Sequence, residues 1–322
     1  MQTRRYILRA GVAAAVATPF TGIAQDRRAL TILVGFAPGG SPDLVARTLS
    51  EKLSAKLGRP VIVENKPGAG GQLALAALQK APADGATYAL TPPGMLTTYP
   101  SLYAKLPYDV EKIQPVVAAC TFDFGIAAGA GTPAKTLPEF VEWVKSNPSK
   151  GFYGIPAPGT SPHFVGMLLA RASGVNLESV AYRGGPPMVA DLLGGQVPLA
   201  VNVMSNFIEY HKDGKLRVLA TTGAKRNPLL QDVPTVAELG LPQLQTEEWY
   251  AFVAREGTPA DDTRALAKAV GEAVEMRDVR AALLASGHIP SAVNADQLRK
   301  DMEINSRRWA DLIKATGFKL ER

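Results

Sequence analysis

A chain of 322 residues, 46% hydrophobic and 20% charged, is long enough for two domains with separate cores and has the composition of a globular protein. No apolar run approaches the ~18 residues that a membrane-spanning helix needs. The formal charge of +6 rests on 35 basic and 29 acidic residues, and much of it sits at the very N-terminus, so it argues little for nucleic acid.

That N-terminus reads as a targeting segment over residues 1–24. Arg4, Arg5 and Arg9 form a basic start, residues 10–20 are mildly apolar, and Gly22-Ile23-Ala24 offers small residues for cleavage before Gln25. Either a twin-arginine or a general secretory signal fits, and both place the mature chain in the periplasm. Removing the segment leaves 32 basic and 29 acidic residues, a charge of +3. No cysteine stands at the cleavage point to carry a lipid. Cys120 is the single cysteine, so no internal disulfide is possible, and its apolar surroundings favour a buried small hydrophobe over a reactive thiol.

Strand and helix patterns then alternate, which argues for an α/β fold with parallel sheets. Residues 31–36 read as a strand that enters the turn Ala37-Pro38-Gly39-Gly40-Ser41-Pro42-Asp43. Val45, Leu49, Leu53 and Leu57 follow at helical spacing, with Gly58 as the stop. A second strand over 61–63 ends in Gly68-Ala69-Gly70-Gly71 and another helix. Residues 88–90 form a third strand closing on Thr91-Pro92-Pro93-Gly94, and 113–120 a long apolar fourth. From 124–128 a second α/β unit begins, with helices at 137–146, 164–172 and 188–193 and strands at 152–155, 180–182, 199–203 and 216–221. A strand over 249–254 leads back to helices at 261–275, 279–284 and 295–316. Crossings near 122–125 and 246–250 divide the chain into domain 1 (25–123 and 249–322) and domain 2 (124–248), with a cleft between them. No short internal repeat or low-complexity tract is evident.

Four loops end strands at that cleft. In the first, Gly39 and Gly40 can expose N–H groups, Ser41 can cap the next helix, and Pro42 needs no N–H partner, a combination suited to an anion or simply to a well-made turn. It lacks the lysine of a nucleotide-phosphate loop. In the second, Gly159, Thr160 and Ser161 supply amides and hydroxyls, and His163 can either donate to a carboxylate or tie the loop to a backbone carbonyl. In the third, Arg183 beside Gly184 can pair with a carboxylate or form a surface salt bridge. In the fourth, Asn202 and Ser205 offer neutral polar contacts. Phe36, Ala37, Asp43, Met95 and Trp249 complete the candidate ligand contacts, Trp249 because it stands at the return crossing. Trp143 and Trp309 read as core. Motifs for nucleotide binding, serine hydrolysis and zinc catalysis are absent, and three scattered histidines with one cysteine do not suggest a metal site or any cofactor.

The chain resembles the Bug-type extracytoplasmic solute receptors of tripartite tricarboxylate transporters. The resemblance is carried by Phe36-Ala37-Pro38-Gly39-Gly40-Ser41-Pro42-Asp43, by Val63-Glu64-Asn65-Lys66-Pro67-Gly68-Ala69-Gly70-Gly71 and by Leu102-Tyr103-Ala104-Lys105-Leu106-Pro107-Tyr108-Asp109. It continues through Tyr182-Arg183-Gly184-Gly185, Asp191-Leu192-Leu193-Gly194-Gly195-Gln196-Val197 and the stretch opening Asp232-Val233-Pro234-Thr235. It implies a type II periplasmic binding-protein fold, two domains joined by two crossings that close like a flytrap, and a non-enzymatic, monomeric receptor for small carboxylates that delivers to membrane permease subunits. The first loop would hold one ligand carboxylate, and the loop 159–163 would face it. The family often carries acids where this chain has Asn202 and Met167, and a proline where it has Ala37. Lacking those acids, the cleft is expected to take a dicarboxylate or aromatic acid and to reject a ligand ammonium. Two other roles share the fold: a sensor subunit read by a membrane kinase, and a periplasmic enzyme using Ser161.

Overall fold

The computed structural model describes residues 28–316 and 318; the leader expected over 1–24 lies outside them. In chain order the elements are β1 (Leu30–Val34), α1 (Ser41–Leu57), β2 (Val61–Asn65), α2 (Gln72–Lys80), β3 (Thr87–Thr91), α3 (Gly94–Thr97), α4 (Tyr99–Leu102), β4 (Ile113–Ala128) and α5 (Leu137–Ser146). Then come β5 (Phe152–Ile155), α6 (Ser161–Ser173), β6 (Glu178–Ala181), α7 (Gly185–Leu193), β7 (Leu199–Val203), α8 (Ile208–Lys212) and β8 (Arg217–Thr221). The chain closes with β9 (Glu247–Arg255), α9 (Ala260–Val274), α10 (Arg277–Ala285), β10 (Ile289–Pro290) and α11 (Ala295–Thr316).

The strands form one curved sheet in the order β2-β1-β3-β9-β4-β7-β5-β6, with β8 and β10 also paired to β4. Both ends are parallel, β2-β1-β3 on one side and β7-β5-β6 on the other. The middle departs from the expected parallel arrangement, because β9 and β4 run antiparallel to their neighbours. The sixteen residues of β4, expected as two strands, are continuous. Ile113 to Asp123 lie opposite Arg255 to Glu247 of β9, and Phe124 to Ala128 then pair with β7 and β8. Nearly every β4 residue is buried, so no polar turn interrupts the ladder, and register shifts after Pro115 and Ala118 supply the bend.

The helices cover the sheet through apolar stripes. On α1, Val45, Leu49 and Leu53 are fully buried against β1 and β3, and Gly58 ends the helix with φ 61°. Each such leucine contributes about 1.5–3 kcal/mol by burial. Cys120 is buried in the same core, where desolvation pushes its thiol up and leaves it inert. Helix α11 returns along the outside and reaches the second half, where Trp309 stacks on Phe164 of α6 at 5.1 Å. Trp143 packs half-buried on the core.

Candidate ligand-binding site

The loops after β1 and β5 share a Gly-x-Ser-Pro pattern, in Gly39-Gly40-Ser41-Pro42-Asp43 and Gly159-Thr160-Ser161-Pro162-His163. Gly39 and Gly159 take φ near +76° and +71°, which only glycine adopts at little cost. Each donates its N–H to the side chain four residues on, Gly39 to Asp43 Oδ2 at 2.8 Å and Gly159 to His163 Nδ1 at 3.1 Å. Ser41 and Ser161 then begin α1 and α6 with a proline at the next position. Gly185 begins α7, followed by two prolines. These three helix N-termini converge on one narrow cavity of about 50 Å³ that is partly open to solvent. The positive ends of the three helix dipoles favour an anion there.

The walls are largely apolar: Phe36, Met95, Phe122, Phe124, Val203 and prolines 42, 92, 156 and 162. Asn202 and Asn206 supply polar atoms from the end of β7. Asn202 accepts from Val203 N–H through Oδ1 at 2.8 Å, while its Nδ2 is buried with no hydrogen-bond partner. An unpaired buried donor beside three helix N-termini calls for an acceptor from outside the protein.

Ser41 is fixed from behind. Its Oγ lies 2.7 Å from His288 Nε2, and His288 Nδ1 lies 2.9 Å from Ser286 Oγ. Ser286 Oγ donates to the Leu283 carbonyl at 2.9 Å, so the network assigns the proton to Nδ1, and Ser41 donates to Nε2. Tyr250 also hydrogen-bonds Ser41. Burial pushes the His288 pKa down to about 3. A neutral, poorly basic imidazole oriented by a serine braces Ser41 rather than activating it as a nucleophile.

Ser161 is fixed differently. Its Oγ donates to Glu248 Oε1 in a short bond that joins α6 to β9. Glu248 and Tyr250 face the cavity from alternate positions of β9. Burial pushes the Glu248 carboxyl up to about 7, although Ser161 and the charge of Arg308 pull the other way.

Of the candidate contacts named from sequence, Phe36, Gly40, Ser41, Met95, Thr160, Ser161 and Asn202 line this cavity. The others do not. The N–H groups of Gly39 and Gly40 turn inward, the latter to the Ala37 carbonyl at 3.1 Å, and Ala37 forms the turn they close. Asp43 is a buried brace that also accepts from Asn65 and from Arg47 Nε. Burial would raise its pKa, but Arg47, the Gly39 N–H and Asn65 hold it below the usual range. Gly159 serves the turn, and His163, pushed by burial to about 4, packs edge-on to Phe318 at 4.8 Å. It ties the loop to its backbone, but by accepting from the Gly159 N–H rather than by donating to a carbonyl. Exposed Arg183 and buried Gly184 border a neighbouring crevice. Ser205 sits against Gly287. Trp249 points away from the cavity into a cluster with Ala118, Ala251 and Leu298, because β alternation sends it to the face opposite Glu248. Sequence reasoning missed Glu248, Tyr250, Asn206 and Gly185. Applying the two-residue period to the return strand would have exchanged Trp249 for its neighbours. Glu248 also overturns the expectation of a cleft without an acid.

The family model for the tripartite tricarboxylate transporter family receptor matches residues 45–318. Protein BugT of Bordetella pertussis is 32% identical over 310 residues, covering 96% of this chain and 95% of its own. The solved periplasmic binding protein BugD superposes with a TM-score of 0.86 at 31% identity, covering 91% of this chain and 99% of BugD. A Rhodopseudomonas palustris protein solved with adipate superposes with a TM-score of 0.86 at 28% identity, covering 90% of this chain and 98% of its own. The chain belongs to the tripartite tricarboxylate transporter receptor family, the Bug-type periplasmic solute-binding proteins.

Proposed function

We propose that this receptor closes on a small dicarboxylate or aromatic acid and delivers it, as a monomer, to the permease subunits of a tripartite tricarboxylate transporter. Residues 25–123 with 249–322 move as one body and 124–248 as the other, and β4 and β9 flex between them. One ligand carboxylate sits where α1, α6 and α7 converge, and its hydrocarbon lies along Phe36, Met95, Phe122 and Phe124. The observation that carries this reading is the unpaired Asn202 Nδ2 in the cavity wall, a donor in search of an acceptor at a place built for negative charge. The adipate held by the Rhodopseudomonas relative supports the ligand class. Charge-assisted hydrogen bonds of about 1.5–3 kcal/mol each set against an association cost of roughly 4–15 kcal/mol allow micromolar affinity from one well-held carboxylate.

The test is calorimetric binding of adipate and a panel of mono-, di- and aromatic carboxylates, with melting curves alongside. A bound acid at about a hundred times its Kd adds ~2.7 kcal/mol and raises Tm by a few degrees. Asn202→Asp, which sets a like charge against the ligand, should weaken binding by about tenfold or more at nearly unchanged Tm. Binding confined to neutral or cationic solutes, or indifference to Asn202→Asp, would refute the carboxylate reading.

A further inference from the structure

The cavity wall contains an acid that a carboxylate receptor has no obvious use for. Glu248 is buried, faces the cavity and holds Ser161 where α6 meets β9. Among the described residues lining the cavity there is no lysine, arginine or histidine, and the titratable groups are Glu248 and Tyr250. The helix N-termini carry partial charges that can offset one carboxylate. A second negative charge inside the same apolar walls has no counter-ion.

We propose that Glu248 is a specificity residue that works as the neutral acid, accepting from Ser161 through Oε1 and donating a proton from its other oxygen to the bound ligand's carboxylate. This rests on the carboxylate reading above and sharpens it. The receptor takes up an anion together with a proton, and it selects plain carboxylates over amino acids, whose ammonium would require Glu248 to be ionised.

The groups around Glu248 fit this role. Along β9 its neighbour on the same face is Tyr250, whose phenol burial pushes up and keeps protonated. From β4 the opposed residue is Phe122. From α6 come Ser161, a donor, and His163, which is neutral and turned to Gly159. Ser41 of α1 and His288 at β10 stand behind Tyr250 and are neutral. Among the described residues, the full charge that acts on it is Arg308 of α11. That guanidinium is exposed, donates to the Gln245 carbonyl at 3.0 Å and lies over the Trp309 ring, so it attracts Glu248 from outside rather than forming a pair in the cavity. The Glu248 carboxyl pushed up to about 7 places the change in protonation within reach of ordinary buffers.

The sign follows. The binding-competent form is protonated, so affinity is flat below about pH 7 and falls about tenfold per unit above it. Calorimetry with adipate from about pH 7 to pH 9, in two buffers of different ionisation enthalpy, reads both affinity and proton uptake. The expected result is a loss of roughly tenfold per pH unit, with uptake rising toward about one proton per adipate. Glu248→Gln, which keeps an acceptor for Ser161 and a permanent donor for the ligand, should bind adipate independently of pH and at least as tightly as the parent at about pH 8. Ser161→Ala removes a bond that favours the ionised form, so the fall in affinity should begin at higher pH. Adipate binding by the parent that is flat with pH and takes up no proton overturns the proposal. So does a well-folded Glu248→Gln protein that binds adipate more weakly at every pH. Glutamate binding that tightens with pH and releases a proton also overturns it, placing an ionised Glu248 against an ammonium. If neither adipate nor any acid of the panel binds either cooperatively melting protein, the carboxylate reading itself falls and takes this proposal with it.

Discussion

The loops after β1 and β5 present nearly the same backbone to the cavity and are braced by opposite chemistry. The first ties its glycine with a carboxylate, Asp43, and backs its serine with an imidazole, His288. The second ties its glycine with an imidazole, His163, and backs its serine with a carboxylate, Glu248. The lesson is that a strand-to-helix turn needs an acceptor at the fifth position and a partner for the serine, but not a particular charge. Where the charge is placed decides what pH does to each half. The largest effect should come from removing the charged tie. Asp43 accepts from Gly39, Asn65 and Arg47, and its carboxylate is almost fully buried. Asp43→Ala leaves the Gly39 and Asn65 donors unpaired and should cost roughly 2–3 kcal/mol, at the low end for a buried pair because Arg47 is half exposed. Urea unfolding checks this. A loss below about 0.5 kcal/mol would mean that the first loop needs no such brace.

The histidine ties sharpen the contrast through pH. Burial pushes His163 to about 4 and His288 to about 3, whereas an unfolded histidine titrates near ~6.5. Between those values the unfolded chain binds more protons than the folded one, so stability falls as pH drops. The loss approaches ~1.4 kcal/mol per pH unit for each histidine below about pH 6.5, and it is complete for His163 below about 4. Asp43, held below the usual carboxylate range, acts in a separate window and gives up its contribution only as pH falls through that lowered value. His163→Gln retains an acceptor for the Gly159 N–H and should reduce the slope between about pH 6.5 and 4 by up to ~1.4 kcal/mol per unit, at a cost near pH 7 of about 1 kcal/mol for the lost ring packing. Urea midpoints at a series of pH values give the slope. An unchanged slope would show that His163 protonates freely in the folded state.

The same contrast explains how much could be read from sequence. Local rules made the two turns legible: a positive-φ glycine, a proline early in the helix, and the apolar stripe of Val45, Leu49 and Leu53. Apolar runs also marked the strands near 122–125 and 246–250, where β4 changes partners and β9 begins. The direction in which groups point was not legible. Gly39 and Gly40 carry suitable N–H groups, yet both turn inward, and that depends on Asp43 and on the Ala37 carbonyl within a folded turn. Ser41 owes its partner to His288, 247 positions away, and Ser161 owes its own to Glu248. Contacts of that range leave no local periodicity. Trp249 is the opposite case, because the two-residue period of its strand was visible and would have turned it into the core.

The smallest expected effect concerns the direct link between the half that carries the first loop and the half that carries the second. Tyr99 is fully buried, and its Oη lies 3.1 Å from the Gly70 carbonyl and 3.2 Å from the Pro158 carbonyl. Gly70 belongs with the first loop's half, and Pro158 is the residue before Gly159. One hydroxyl proton is therefore shared between the two sides of the cleft. Tyr99→Phe removes that proton and leaves the ring in place. If the bond to Pro158 forms only when the halves meet, its loss lowers the population of the closed state without unfolding either half. Adipate affinity should then drop by a few-fold, equivalent to about 0.5–1.5 kcal/mol, while the ligand-free Tm moves little. A variant whose Tm falls while its affinity holds would assign the hydroxyl to Gly70 alone. Tyr99 would then be a brace within one half, comparable to Asp43 and His163, and closure would rest on the ligand.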